Sequence, residues 1–390
     1  MSVRMFLPIA VVTLVLGFAC TYMSLRSMAL SPLLNRHPWV VWGIFVFMLI
    51  VPISIRIIGQ MPILKSLIGH YQVVDWVCYI IFGLVSTYIV YLGIADLFQF
   101  LLRRFFDAPP STGVWALRTA IAATIVSIVV GCVQALRPPT IRRVEVPILG
   151  LNKSLEDFTI VQISDLHIDT LVSKRSLEQL TSYVNEINPN VIAITGDFVD
   201  GTPSDLLPKV AVMENLKPKD CICFVTGNHE YYSGDLQKWL DVFNKMGWRV
   251  LMNNNVLVQF NDATIAIVGI PDSTSRGIRG YGPKPDLAQA LVETPIGTPK
   301  ILLNHKPTDF IEAEKADIAL QLSGHTHAGQ YFPWSVVVPL LFDFPHGLKR
   351  YKRMWIYTSS GTGFWGPPNR FLRPKELTLL VLKRADSTNS

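Results

Sequence analysis

The sequence predicts an α/β domain preceded by a four-helix membrane unit. Three observations lead there. Four apolar runs occupy the first 140 residues; short apolar strands alternate with helix-like stretches from residue 151 onward; and charge is split unevenly between the two parts. Only 16% of the 390 residues are charged, against about 25% in an ordinary soluble protein. That excludes a disordered chain and a uniformly soluble enzyme. Residues 1–140 carry 9 Lys and Arg and 3 Asp, whereas residues 141–390 carry 26 basic and 26 acidic residues. The net charge of +6 therefore lies wholly in the apolar part, as basic flanks of membrane segments rather than as a nucleic-acid surface.

The four runs are residues 5–25, 39–58, 73–97 and 113–136. Each reaches the ~20 residues a helix needs to cross the hydrocarbon layer. Trp39, Trp42, Trp76 and Trp115 stand near run ends as interface anchors. Four spans place both termini on one side of a cell membrane, in a multi-pass arrangement. The flanking Arg and Lys residues, among them Arg4 and Lys65, divide almost evenly and do not choose that side. Asp96 falls late in the third run. It reads either as a headgroup-level residue beyond a helix that stops near Ala95, or as a functional intramembrane acid.

Pro138 and Pro139 stop the last helix, and alternation over Val144–Ile148 starts a strand. The boundary is therefore set at residues 140 and 141, with a second domain over 141–385 and a frayed tail over 386–390. Its strands are expected at 158–163, 191–195, 222–226, 264–270, 301–304, 318–322, 354–358 and 377–382, with helices at 174–187, 205–215, 236–246, 286–292 and 308–314. The five cysteines contain no Cys-x-x-Cys, so no thiolate zinc site is expected. Cys221 and Cys223 share one face of a strand.

Five of these strands end in Asp, Asn or His, often beside Gly: Ser164-Asp165-Leu166-His167, Gly196-Asp197-Phe198-Val199-Asp200, Gly227-Asn228-His229-Glu230, Asn304-His305-Lys306-Pro307 and Ser323-Gly324-His325-Thr326-His327. Ligands of open α/β sheets bind outside the carboxyl ends of strands. Singly, each piece is an ordinary cap or turn. Together they supply seven donors: Asp165, His167, Asp197, Asn228, His305, His325 and His327. All are nitrogen or oxygen. With one carboxylate shared, that set suits two divalent ions, Mn²⁺ first and Fe or Zn²⁺ next, rather than Mg²⁺ or Ca²⁺. Two such ions can clamp a phosphoryl oxygen and acidify a water for in-line attack. His229, left over as a ligand, can protonate the leaving oxygen or stabilise developing charge.

These motifs resemble the signature of the calcineurin-like metallophosphoesterase superfamily over residues 155–385. The run from Ser359 to Glu376 resembles the closing segment of a bacterial branch related to UDP-2,3-diacylglucosamine diphosphatases. The resemblance implies a four-layer fold, a β-sandwich flanked by helices. It implies one metal on Asp165, His167, Asp197 and His327 and a second on Asp197, Asn228, His305 and His325, with Asp197 bridging and His229 as acid or charge stabiliser. Purple acid phosphatases carry Tyr where this sequence has Asp200, so Asp200 is expected to support the site or form a turn rather than bind metal. The implied activity is hydrolysis of a phosphodiester, phosphomonoester or pyrophosphate, with a lipid as one candidate substrate. The resemblance leans to an extracytoplasmic catalytic part.

The apolar stretch after Gln330, up to the basic Lys349, Arg350, Lys352 and Arg353, has two readings. It is a loop dipping into the membrane interface to admit a lipid, or a core hairpin with a solvated basic turn. No basic, aromatic-interleaved groove is visible, so nucleic acid is not an expected partner. The alternatives are a soluble-nucleotide phosphodiesterase and a non-catalytic membrane sensor or scaffold.

Overall fold

The computed structural model describes residues 17–385 except 30, 59–70, 110, 234 and 277–281. Arg4, Lys65, the first part of the 5–25 run and the 386–390 tail lie outside the described residues. The chain divides into two compact units: Met1–Val133 with Gly366–Phe371, and Gln134–Trp365 with Leu372–Ser390.

The first unit is helical. Residues 17–29 are helical, followed by helices Pro38–Ile58, Tyr71–Phe106 and Thr112–Leu136. Among the described residues, two segments are long and apolar enough to cross a membrane, Trp76–Phe106 and Thr112–Leu136; the part Pro38–Met48 of the helix before them is apolar but shorter. The third run does not stop near Ala95. Its helix continues to Phe106, so Asp96 lies inside it. Two features allow this: no proline or glycine interrupts residues 94–106, and Arg26, far off in sequence, pairs with the acid. The Arg26 guanidinium holds both carboxylate oxygens of Asp96, and the Tyr22 hydroxyl donates to the same carboxylate at 2.8 Å.

The second unit contains two six-stranded sheets. Strands are numbered β1 (Thr140–Leu149), β2 (Thr159–Ile163), β3 (Val191–Thr195), β4 (Cys221–Val225), β5 (Arg249–Val250), β6 (Asn254–Phe260), β7 (Ala263–Gly269), β8 (Lys300–Leu303), β9 (Leu320–Ser323), β10 (Gly347–Tyr351), β11 (Met354–Thr358) and β12 (Glu376–Ala385). One sheet has the order β1-β12-β2-β3-β4-β5 and the other β10-β11-β9-β8-β7-β6.

Side chains on a strand alternate between faces, and the central strands are apolar on both. Val191 and Ala193 of β3, Cys223 and Val225 of β4, Ile265 and Ile267 of β7, and Ile301 and Leu303 of β8 belong to one buried cluster shared by both sheets. The intervening Ile192, Ile194, Ile222 and Phe224 face a second cluster, with Leu177, Leu180 and Val184 of helix Lys174–Ile187 and Trp239 and Phe243 of helix Leu236–Lys245. On the other sheet, Ala266, Val268 and Leu302 join Ala290 and Ala313 of the short helices Leu287–Ala290 and Phe310–Lys315. This two-sided burial explains why the strands read as continuous apolar runs. The edge strands β6 and β10 were not foreseen: both expose much of their length, so neither carries such a run.

Candidate metal centre

The strand-end motifs converge because the sheet ladders continue past the strands. Beyond β2 and β3, Asp165 N–H donates to the Gly196 carbonyl at 3.1 Å, His167 N–H to the Asp197 carbonyl at 3.0 Å, and Ile168 N–H to the Phe198 carbonyl at 2.9 Å. Beyond β8 and β9, Gly324 N–H donates to the His305 carbonyl at 2.8 Å. The closing segment ties in through Thr362 N–H to the Ser164 carbonyl at 2.7 Å.

The turns are tight and strained. Asp165, His167, Asp197, His325 and His327 all have positive φ, between 48° and 69°. Such backbone costs a non-glycine residue about 1–3 kcal/mol and persists where surrounding structure over-determines it. Two glycines leave room for carboxylates. A Cβ on Gly227 would lie 2.2 Å from Asp197 Oδ1, and one on Gly324 would lie 2.2 Å from Asp165 Oδ2.

Three groups of side chains bring potential metal-binding atoms within 4.8 Å of one another: Asp165, His167 and His327; His167, Asp197 and His229; and Asp197, His305 and His325. Asp197 is common to the last two. Its Oδ2 lies 3.2 Å from His305 Nε2 and 3.8 Å from His167 Nε2. His167 Nε2 is 3.1 Å from His327 Nε2, which is 3.5 Å from Asp165 Oδ1.

The orientation of these atoms suits cations. His305 Nδ1 donates to the Thr195 carbonyl at 2.8 Å, so the neutral ring turns the Nε2 lone pair toward the Asp197 carboxylate. Two acceptors then face each other, and a proton or a metal must stand between them. Asn228 Oδ1 is buried without a hydrogen-bond partner among the described residues. A buried amide oxygen in that condition calls for a ligand. The N and O donor set thus fits divalent ions.

Metal-free electrostatics point the same way. Burial pulls the His305 imidazole down, but Asp197, backed by Asp165 and Asp272, lifts it to about 10. Burial likewise lowers His167, and Asp200, then Asp197 and Asp165, outweigh it and raise the ring to about 9. Burial would raise Asp197, yet His305, with His229 and His167, holds it well below the usual carboxylate range. Asp165 is pushed up by burial. His325 falls to about 3 through burial and then the positive His305. The acids demand positive charge, which protons supply when metal does not.

The profile of the calcineurin-like phosphoesterase family matches residues 158–329. A "transmembrane protein with metallophosphoesterase domain" from Danio rerio is 34% identical over 80% of this chain and 74% of its own length. Its namesake from Bos taurus is 33% identical over 85% and 77%, respectively. An "uncharacterized metallophosphoesterase" of Campylobacter jejuni is 35% identical over 64% of this chain and 65% of its own length. The chain belongs to the calcineurin-like phosphoesterase family. It is a metal-dependent phosphoester hydrolase.

Two residues of the phosphoesterase's motifs had no assigned partner in the sequence. Asp200 Oδ1 lies 3.0 Å from His167 Nδ1 and 2.7 Å from His229 Nδ1. One carboxylate oxygen therefore orients both rings and leaves each Nε2 toward the site. Both histidines together hold Asp200 below its usual range against a strong burial penalty. Glu230 is fully buried and accepts the N–H groups of Asp197, Phe198, Val199 and Gly227, at 3.1, 2.7, 3.2 and 2.6 Å. It clasps the loop that aims Asp197; burial, then Asp197, raises it to about 7. The spacing Gly-Asp-x-x-Asp and the Glu after Asn-His were the available signals. At the rim, the ring centroids of Trp365 and Tyr232 lie 5.6 and 5.4 Å from that of His229.

Proposed function

We propose that this protein is a membrane-anchored phosphoesterase with a two-metal centre that hydrolyses a phosphodiester, phosphomonoester or pyrophosphate. The observation that carries the reading is the position of Asp197, whose carboxylate is shared by two groups of potential ligands. In this reading Asp165, His167, Asp197 and His327 hold one ion, and Asp197, Asn228, His305 and His325 hold the other. Mn²⁺ is the first choice of metal for this donor set, with Fe and Zn²⁺ next. The ions, when bound, supply Lewis-acid polarisation of the phosphoryl group and acidification of a water.

The chain's own residues do the rest. Asp200 fixes His229 with its Nδ1–H inward, so Nε2 is the atom that carries or gives a proton to the leaving oxygen. Glu230 and the glycine turns keep the shared carboxylate from rotating away. The domains in this reading are a membrane unit over 1–140, a catalytic domain over 141–385 and a short tail. The catalytic part is arranged as helix, sheet, sheet, helix, which the three buried clusters support. The membrane unit has four spans, with the catalytic part on the extracytoplasmic face. The apolar helices and the relatives named as transmembrane proteins support the anchoring.

The test is metal analysis with turnover of a soluble aryl phosphodiester on the purified full chain. Asp197→Ala should lose metal and activity together. His229→Ala should retain metal and lose turnover. Full activity in either variant would overturn the assignment.

A further inference from the structure

Residues 334–341, Trp-Ser-Val-Val-Val-Pro-Leu-Leu, form a helix with no buried residue. Leu340 is 81% exposed, Leu341 70%, Val336 57% and Trp334 43%. A short helix that holds so many apolar side chains in water is unpartnered, and the hydrophobic effect favours covering it.

The helix is built into the metal-binding loop. At its start, Ser335 N–H donates to the Tyr331 carbonyl at 2.9 Å, and Gly329 packs so closely on the Trp334 carbonyl that a Cβ there would approach to 2.2 Å. At its end, the Phe342 ring stands edge-on to His325 at 6.1 Å, and Thr326 Oγ1 donates to the Pro345 carbonyl at 2.6 Å. Gln330 exchanges two 2.8 Å hydrogen bonds with the backbone of Trp365, itself half-exposed beside His229. The exposed apolar helix and the mouth of the metal site are thus held in one frame.

A cationic cluster follows directly along the chain. Arg142 lies 3.6 Å from the Glu376 carboxylate, and its guanidinium would lie 3.9 Å from a Cβ on Gly347, beside His346. Burial, then positive Arg373 and Lys349, push the His346 ring down. Glu376 is already taken by the Tyr357 hydroxyl at 2.9 Å and Ser360 N–H at 3.0 Å; Asp343 is the other acid of this stretch. His346 Nδ1 and Arg373 Nε are buried atoms without a partner among the described residues. Arg142 lies on β1, which follows in sequence the helix Thr112–Leu136, a segment long and apolar enough to cross a bilayer.

We propose that the face carrying helix Trp334–Leu341 and the cations Arg142, Lys349 and Arg373 seats in the interface of an anionic phospholipid bilayer. The leucines, Val336 and Trp334 lie among acyl chains, and the cations meet headgroup phosphates. Given the hydrolase reading above, the metal site then takes its phosphoester from an acyl-chain-bearing amphiphile in that bilayer.

The experiment uses the full chain in nanodiscs of phosphatidylcholine and phosphatidylglycerol, labelled with a membrane-restricted photoactivated carbene reagent and mapped by mass spectrometry. The peptide holding Trp334–Leu341 is expected to be labelled within about threefold of Thr112–Leu136, as for an apolar helix at bilayer depth, while β6 stays unlabelled. Labelling of Trp334–Leu341 no higher than β6 overturns the proposal, including the case where a second copy or a protein partner covers the helix. In discs of phosphatidylcholine alone the label should fall; equal labelling overturns the role of the cationic cluster. As a second readout, Leu340→Glu with Leu341→Glu should slow hydrolysis of the nitrophenyl ester of dioleoylphosphatidic acid in discs by about tenfold or more, with bis(4-nitrophenyl) phosphate hydrolysis kept within about twofold, since the lost contacts are apolar ones with lipid. Equal loss on both probes overturns lipid delivery. If the metal-loaded wild type hydrolyses neither probe, the hydrolase reading fails, and the labelling still decides the docking.

Discussion

Asp200 Oδ1 lies 2.7 Å from His229 Nδ1, and the same oxygen is 3.0 Å from Nδ1 of His167. One buried carboxylate therefore sets the tautomer of a candidate proton donor and of a candidate metal ligand. Carboxylate partners of ligating histidines fix ring orientation and raise ligand basicity, and their loss typically costs about 10–100-fold in metal affinity or activity. Asp200→Asn keeps the shape and removes the charge. We expect kcat to fall by that factor with KM nearly unchanged, and the pH profile to shift. Steady-state kinetics with metal content measured in parallel check this; an unaltered kcat and profile would show the contact to be inert.

Glu230 answers four backbone N–H groups at once. Glu230→Ala strands them in a buried loop, and each unsatisfied buried donor costs about 1–3 kcal/mol. The variant should unfold at markedly lower denaturant concentration and bind metal poorly. Glu230→Gln, which keeps an acceptor oxygen, should lie between it and wild type. Chemical denaturation followed by near-UV circular dichroism measures both. Wild-type stability in the alanine variant would refute the clasp.

Metal uptake should release protons. Without metal, His167 and His305 are held up to about 9 and about 10, so both are charged at pH 7.5, whereas metal-bound imidazole is neutral. Loading at that pH should expel on the order of two protons, read by calorimetry in buffers of different ionisation heat. The sign for stability follows. His305 lies above its ordinary 6.5 in the fold, so its contribution to the metal-free protein is complete below pH 6.5 and is lost as pH rises through 10. Metal-free protein should soften over that window and metal-loaded protein should not. Proton-neutral loading contradicts the scheme.

Gly227 has an ordinary negative φ, so its restriction is one of space. Gly227→Ala drives a methyl group to 2.2 Å from Asp197 Oδ1. The Asp197 amide would lie only 2.4 Å away, so both the carboxylate and the loop backbone must move, and the variant should lose metal while keeping its secondary structure. Full metal occupancy with unchanged turnover would sink that expectation.

In the helical unit, Tyr22 and Arg26 converge on Asp96. A double-mutant cycle of Tyr22→Phe and Asp96→Asn should give a coupling of about 0.5–1.5 kcal/mol, the range found between polar groups on membrane helices. A coupling of zero by unfolding in detergent would mean that the hydroxyl and acid act independently.

Most strands and the Asp, Asn and His clusters after them were readable along the chain because their signals are local. Strands β3 and β11 fall on the expected residues, and helix Lys174–Ile187 matches to the residue. A strand buried on both faces needs an unbroken apolar run, as Val191–Thr195 is. The candidate metal-binding residues are Asp, Asn and His placed just after strands, a pattern visible in a short window. Weak signals failed for the converse reason. The exposed β6 and β10 have no apolar run to find, and the helix beyond Asp96 persists through a partner that comes from a distant stretch of chain.

Residue order alone thus carried most of the elements, the motif set and the family resemblance, each being a property of neighbours in the chain. The folded molecule added the meeting of residues far apart in sequence: Asp200 with two histidines, Glu230 with the Asp197 loop, and an exposed apolar helix locked beside His325. Such contacts depend on sheet order and on backbone held at positive φ. Both are outcomes of packing the whole domain, and no short window of sequence encodes them.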